Sequence, residues 1–169
     1  MDVRRESEAN AVKSPIVVER KSDLELVVKR TVNAPARLVW EAWTKADLFR
    51  RWWVPRSLGL TLLSCEMDVR AGGQYRLVFR HEDSTMEFFG TYLEVTATRR
   101  LSWTNEEGDN GKTITTVTFE ESAGKTLVVV HDLYPSKEAV DTGSTGAMPE
   151  VFDQLEELLV TLRSSAETN

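Results

Sequence analysis

The sequence predicts an α+β domain: a meander of antiparallel strands covered by one long C-terminal helix. Three observations carry this. From about Leu62 to Asp132 the pattern is almost wholly strand-like, with apolar residues alternating between runs of turn residues. The period then switches, and Met148, Val151, Phe152, Leu155, Leu158, Leu159 and Leu162 recur at helical spacing. Finally, 169 residues of which 41% are apolar suit one ordinary domain with one real core. A meander with a single apolar face needs a cover, and the long helix supplies it.

Residues 1–22 mix Arg4, Arg5, Glu6, Glu8, Lys13 and Lys21 with small polar residues and show no period. They read as a mobile polar tail, in which Ile16-Val17-Val18 offers one added edge strand. The domain is expected over residues 23–163, with a short tail at 164–169. Its first strand is Leu24 to Val32, β-prone and partly alternating. Asn33-Ala34-Pro35 stops that strand and starts a helix, because proline suits a first helical turn. Leu38, Val39, Ala42, Trp43 and Ala46 share one face of it. A second short helix holds Leu48, Phe49, Trp52 and Trp53 until Pro55.

About six strands follow, giving a sheet of six or seven. Leu62 to Val69 is one, broken by Ala71-Gly72-Gly73. Tyr75, Leu77 and Phe79 alternate with polar residues, and Phe89, Thr91, Leu93 and Val95 read as repeating that inward face. Leu101 and Trp103 come next. Asn110-Gly111 and Ala123-Gly124 are turn signals separating the last strands. Thr115, Val117 and Phe119 share one face, and Leu127, Val129 and His131 are assigned to the inward face of the last strand. The final helix enters through Pro149 and carries Glu150, Asp153, Glu156 and Glu157 on its other side.

Charge and composition exclude several classes of function. The 21 Lys+Arg against 27 Asp+Glu leave a net charge of −6, and no basic run in the domain exceeds a doublet. Nucleic acid and anionic membrane surfaces are therefore disfavoured as partners. No apolar run approaches the roughly 20 residues of a membrane span. One cysteine, Cys65, rules out an internal disulfide framework, and the polar N-terminus lacks the apolar core of a secretory signal. A cytoplasmic location is expected.

Several motifs together resemble one family. Arg37-Leu38-Val39-Trp40-Glu41-Ala42-Trp43-Thr44, followed by Phe49-Arg50-Arg51-Trp52-Trp53-Val54-Pro55, is similar to the opening of the activator of heat-shock protein ATPase homologues (AHSA type), in the START-like (SRPBCC, Bet v-like) superfamily. Cys65 to Gly73 resembles the second family signature; Gly90 with Leu93-Glu94-Val95 and Leu101-Ser102-Trp103-Thr104 resembles the third. The resemblance spans about Leu24 to Leu162. It implies a helix-grip fold, a curved antiparallel sheet wrapped around the C-terminal helix with an apolar cavity between them. Where relatives often carry Gly-Trp at the start of the last helix, this chain reads Gly146-Ala147-Met148-Pro149, which would reshape the cavity mouth.

The residues support little metal, phosphate or nucleophile chemistry. His81 and His131 stand far apart, Cys65 has no cysteine partner, and no CxxC, HExxH or calcium loop exists, so no metal site is expected. Ala71-Gly72-Gly73 lacks the Gly-Lys-Ser/Thr of a phosphate loop and reads as a turn or bulge; no cofactor is expected. His131 and Asp132 are adjacent on a strand, so their side chains point to opposite faces and cannot act as a base with its orienter. His131 reads either as a satisfied core histidine or as the polar anchor of a ligand head group. Cys65 is expected to be inert and half-buried, with Asp68 and Arg70 forming an ion pair nearby. Trp40, Trp43 and Trp52 read as core. Trp53, Phe79, Phe89, Trp103, Phe119, Val129, His131, Phe152 and Leu155 are the candidate cavity residues.

Three functions follow as expectations. The first is binding of a hydrophobic or amphipathic small molecule, of lipid, polyketide or aromatic type, between sheet and helix. The second is a cyclase- or aromatase-like enzyme using the same cavity, with His131, Glu87 and Tyr92 as the titratable groups to test; no fixed acid/base pair stands out, and no catalytic residue is assigned. The third, implied by the family name alone, is a chaperone-partner or stress-response regulatory protein.

Overall fold

The computed structural model describes residues 15–106, 111–142 and 148–168. Residues 1–14, Asn110 of the expected turn and Gly146-Ala147 of the last-helix entry lie outside them. Eight strands form one open antiparallel sheet: β1 (Val17–Arg20), β2 (Glu25–Val32), β3 (Thr61–Met67), β4 (Gln74–His81), β5 (Ser84–Thr96), β6 (Arg100–Asn105), β7 (Thr113–Ser122) and β8 (Lys125–Leu133). Their spatial order is β1-β2-β8-β7-β6-β5-β4-β3. Between β2 and β3 lie α1 (Ala36–Thr44), α2 (Ala46–Phe49) and a 3-10 turn, Arg56–Leu58; after β8 come α3 (Lys137–Thr142) and α4 (Met148–Thr168). The α+β class and the C-terminal helix agree with the sequence reading, and the architecture is that of a helix-grip fold.

The departures are local. β1 is the edge strand that Ile16-Val17-Val18 offered, inside the segment read as a tail. Helix α3, which the sequence reading did not contain, buries Val140. Helix α4 runs to Thr168, through the residues assigned to a C-terminal tail. Glu156, placed on the solvent side of that helix, is instead buried near Arg30 of β2. The two side chains approach to 3.9 Å, while Asp153 meets the same guanidinium at 3.0 Å.

Two strands have the opposite facing to the one expected. On β5, Phe89 and Leu93 are 39% and 48% exposed, while Tyr92 is buried. The register against β6 slips between Tyr92 and Glu94, so one extra residue is accommodated there. Tyr92 opposite Trp103 and Val95 opposite Leu101 therefore both reach the core, and Leu93 is pushed out. On β8 the inward residues are Thr126, Val128 and Val130, continued by Asp132, rather than Leu127, Val129 and His131. Directly paired residues share a face, and β7 places Phe119 opposite Val128, Val117 opposite Val130 and Thr115 opposite Asp132.

The core joins the buried faces of α1, α4 and the strands through an aromatic cluster. Trp43 and Trp52 meet edge to face at 4.7 Å between ring centres, and Phe49 stacks on Trp53 at 4.9 Å. Trp52 is fully buried and its indole donates to the Ala42 carbonyl at 2.8 Å, which ties the segment after α2 back onto α1. Gly90 of β5 packs directly against the β6 backbone: a Cβ there would sit 1.8 Å from the Thr104 carbonyl oxygen. That contact is with backbone and cannot be relieved by a rotamer change. Gly90→Ala is expected to cost about 1–3 kcal/mol or more, read as a lower midpoint in denaturant unfolding; an unchanged midpoint would show that the strand pair can spread at no cost.

Candidate ligand cavity

The long helix covers the concave face of the sheet incompletely. Between them is a cavity of about 750 Å³. One wall is the α1 and α2 region and the segment after it, through Trp43, Phe49, Trp53, Val54, Pro55, Leu58 and Leu60. The floor is the inward face of the strands: Met67, Tyr75, Leu77, Phe79, Phe88, Tyr92, Leu101, Trp103 and Val130. Met148 and Val151 line it from the α4 side.

The wall segment runs against apolar surface and its backbone needs partners. Gln154, only 4% exposed, supplies them. Its amide nitrogen donates to the Trp52 and Val54 carbonyls at 2.9 and 2.7 Å, and its oxygen accepts from the Arg56 N–H at 2.9 Å. One turn earlier on α4, Glu150 accepts from the Ser57 N–H at 2.9 Å and from its hydroxyl. Thus α4 both covers the cavity and holds its aromatic wall. Gln154→Leu is expected to leave three backbone groups unpaired and lower stability by at least about 2 kcal/mol. Faster amide hydrogen exchange at Arg56 than in the native protein is the accompanying sign, and unchanged exchange would refute the clamp.

The polar groups gather at one end. Tyr75 Oη donates to the Thr104 carbonyl at 2.8 Å and lies 3.2 Å from Asn105 Oδ1. Asn105 Nδ2 donates to the Thr113 carbonyl at 3.1 Å and to Thr115 Oγ1 at 2.9 Å. Thr115 Oγ1 in turn donates to Asp132 Oδ1 at 2.6 Å. Tyr134 lines the same end. Burial pushes the Asp132 carboxyl above the usual carboxylate range, against the lowering effects of the Thr115 bond and of His131. Burial likewise pushes the Tyr134 phenol up to about 12, aided by Asp132.

A raised carboxyl pKa has a definite sign in stability. The folded protein keeps the Asp132 proton to higher pH than the unfolded chain does. Its stabilising effect is therefore full below about pH 4, the ordinary carboxylate value, and is lost as pH rises through the folded value. Thermal melts of the native protein and Asp132→Asn should diverge in the variant's favour as pH rises from about 4, then run parallel; a gap independent of pH would contradict this.

The sequence-derived cavity residues divide. Trp53, Phe79 and Trp103 line the cavity. Phe119, Phe152 and Leu155 are buried in the packed core beside it, Phe119 against Trp40 and Trp43. Phe89 and Val129 face away from it, and so does His131, whose Nε2 is 2.6 Å from Glu25 Oε2 on the outer face. That contact is the chief reason the Glu25 carboxyl is held below its usual range. Of the titratable groups named for an enzyme, Tyr92 lines the cavity, whereas Glu87 is outside in an ion pair with Arg76 at 2.7 Å. The residues missed are Asp132, Tyr134, Asn105 and Thr115. Asp132 could have been found from its pairing with Thr115, had the strand register been known.

Elsewhere, Cys65 is half-buried with its thiol pushed up by burial, and Asp68 and Arg70 do pair, at 2.9 Å. Trp43, read as core, is buried yet also lines the cavity, and its indole Nε1 has no hydrogen-bond partner among the described residues. Among the described residues no three His, Cys, Asp or Glu side chains gather as a metal site, and no helix is long and apolar enough to cross a membrane.

These features belong to a known class of domain. The chain is a member of the family described as Activator of Hsp90 ATPase homolog 1-like protein, which matches residues 33–160. Similar solved structures include a protein of Rhodobacter sphaeroides (22% identity, TM-score 0.79, covering 88% of this chain and 99% of that one). Another is from Nitrosomonas europaea (24% identity, TM-score 0.75, 86% and 99%), and a third, described as a protein of unknown function, is from Staphylococcus aureus (21%, 0.69, 83% and 96%). At these identities the likeness speaks for the fold. No curated protein matches the chain.

Proposed function

We propose that this domain binds a hydrophobic or amphipathic small molecule between the sheet and α4. The observation that carries the reading is the cavity itself. Its volume of about 750 Å³ falls in the range of small-molecule sites, roughly 300–1,000 Å³. Its walls are largely aromatic and aliphatic, with polar groups converging at one end, the composition such sites have. Family membership fits a ligand-binding or regulatory domain. A lipid, a polyketide or a compact aromatic molecule would each suit such a lining.

The test is native mass spectrometry and solvent extraction of the purified protein, followed by thermal melts against a library of apolar compounds. A ligand bound only by the folded state stabilises it by about 2.7 kcal/mol at a hundred times its Kd. A co-purifying apolar molecule or such a shift is expected. Val130→Trp, which places a large ring on the cavity floor, should abolish the shift. A native protein that carries no such molecule and responds to no compound would overturn the reading, as would full binding by a well-folded Val130→Trp.

A further inference from the structure

The cavity's charge and hydrogen-bond direction restrict its ligand further, and this step rests on the binding role proposed above. Among the described residues lining it, Asp132 is the single ionisable acid and no Lys, Arg or His is present. Among the described lining residues a ligand anion would therefore meet no counter-charge, and would meet a carboxyl group instead.

The polar chain also has a direction. Both N–H groups of Asn105 are used, on the Thr113 carbonyl and Thr115 Oγ1. The Thr115 hydroxyl proton is used on Asp132 Oδ1, and Tyr75 donates to the Thr104 carbonyl. The donors of these three side chains are thus consumed inside the network, which at this end finishes, with Asp132 ionised, on an acceptor, while the Trp43 indole is a lining donor left unpaired among the described residues. Asp132 Oδ1 is occupied, while Oδ2 has no partner among the described residues. Asp132 keeps part of its surface, on the strand face that forms the cavity floor. A carboxylate oxygen set in an apolar lining without a donor is poorly solvated, so a donor brought by a ligand gains more here than in water. Tyr134, beside it, offers a hydroxyl that accepts or donates.

We infer that the cavity selects an apolar molecule with a hydrogen-bond-donating head group, a hydroxyl or an amine, seated on Asp132 Oδ2, and discriminates against carboxylic acids of the same size. The aromatic wall of Trp43, Trp53 and Trp103 holds the body of the ligand and reports its arrival by fluorescence. His131, the anchor suggested by the sequence, takes no part because it lies on the other face of the sheet with Glu25.

Three probes share one body and differ at the head: 2-naphthol, naphthalen-2-ylmethylamine and 2-naphthoate. They are titrated into the full chain at neutral pH, with tryptophan quenching and calorimetry as readouts. The alcohol or the amine should bind at least tenfold more tightly than the acid, and which of the two leads identifies the natural head group. In Asp132→Asn that ratio should fall below threefold, mainly because the acid now binds better. Thr115→Val, which frees Oδ1 without altering the charge, should keep the preference against the acid and serves if Asp132→Asn folds poorly. Equal binding of acid and alcohol by the native protein overturns the inference but leaves the cavity reading standing, provided Val130→Trp blocks both. A preference unchanged in a folded Asp132→Asn overturns the assignment to Asp132. Failure of all three probes to bind a protein that still takes up another apolar compound overturns this inference alone, and failure together with an empty library screen removes the cavity reading as well.

Discussion

A sheet that curves around one helix must feed a connecting segment past apolar surface, where water cannot satisfy the backbone. Gln154 meets that requirement here. A single buried amide on α4 pairs with three backbone groups of the segment between Trp52 and Arg56. Because those groups have no alternative partner among the described residues, the position of α4, the course of the segment and the orientation of Trp53, Val54 and Pro55 are coupled. Glu150 extends the coupling by one turn to Ser57. The aromatic cluster of Trp43, Phe49, Trp52 and Trp53 then fills in behind it.

The same helix carries its second buried polar contact at the opposite end of the sheet order. Arg30 is 4% exposed on β2 and faces Asp153 and Glu156. A guanidinium so placed requires carboxylates nearby, since an uncompensated buried charge costs several kcal/mol. With β2 and the wall segment both tied to α4, the helix is held at two sides and spans the middle of the sheet without filling it. The cavity is the space left under that span. Its emptiness of side chains follows from how the cover is suspended, while its apolar character follows from the strand residues beneath.

Placement of charge separates the two faces of the sheet. On the outer face, Glu87 with Arg76 and His131 with Glu25 form exposed or half-exposed pairs of the kind that contribute little to stability. On the inner face, Asp132 is the carboxyl group that lines the cavity, at the end of a hydrogen-bonded line through Thr115 and Asn105. A carboxyl group in so apolar a lining is costly to the fold.

The class of fold was legible because it depends on period. Alternation over Tyr75, Leu77 and Phe79 and helical spacing from Met148 to Leu162 are properties of the chain alone, and both elements formed where they were read. The family motifs, Arg37 to Thr44 and Phe49 to Pro55 above all, were legible in the same way. The facing of β5 and β8 was not. In β8 the run Leu127 to Val130 is apolar at every position, so either parity suits a core, and only the pairing of Thr115 with Asp132 decides between them. In β5 an extra residue after Tyr92 reverses the facing midway, and such a slip costs the sequence no visible signature. The chain by itself therefore determined the elements, their order and the helix that covers them, because local spacing specifies each. Tertiary structure alone decided that Asp132 rather than His131 meets the cavity, because inward and outward on an apolar strand are set by hydrogen-bond register with its neighbours.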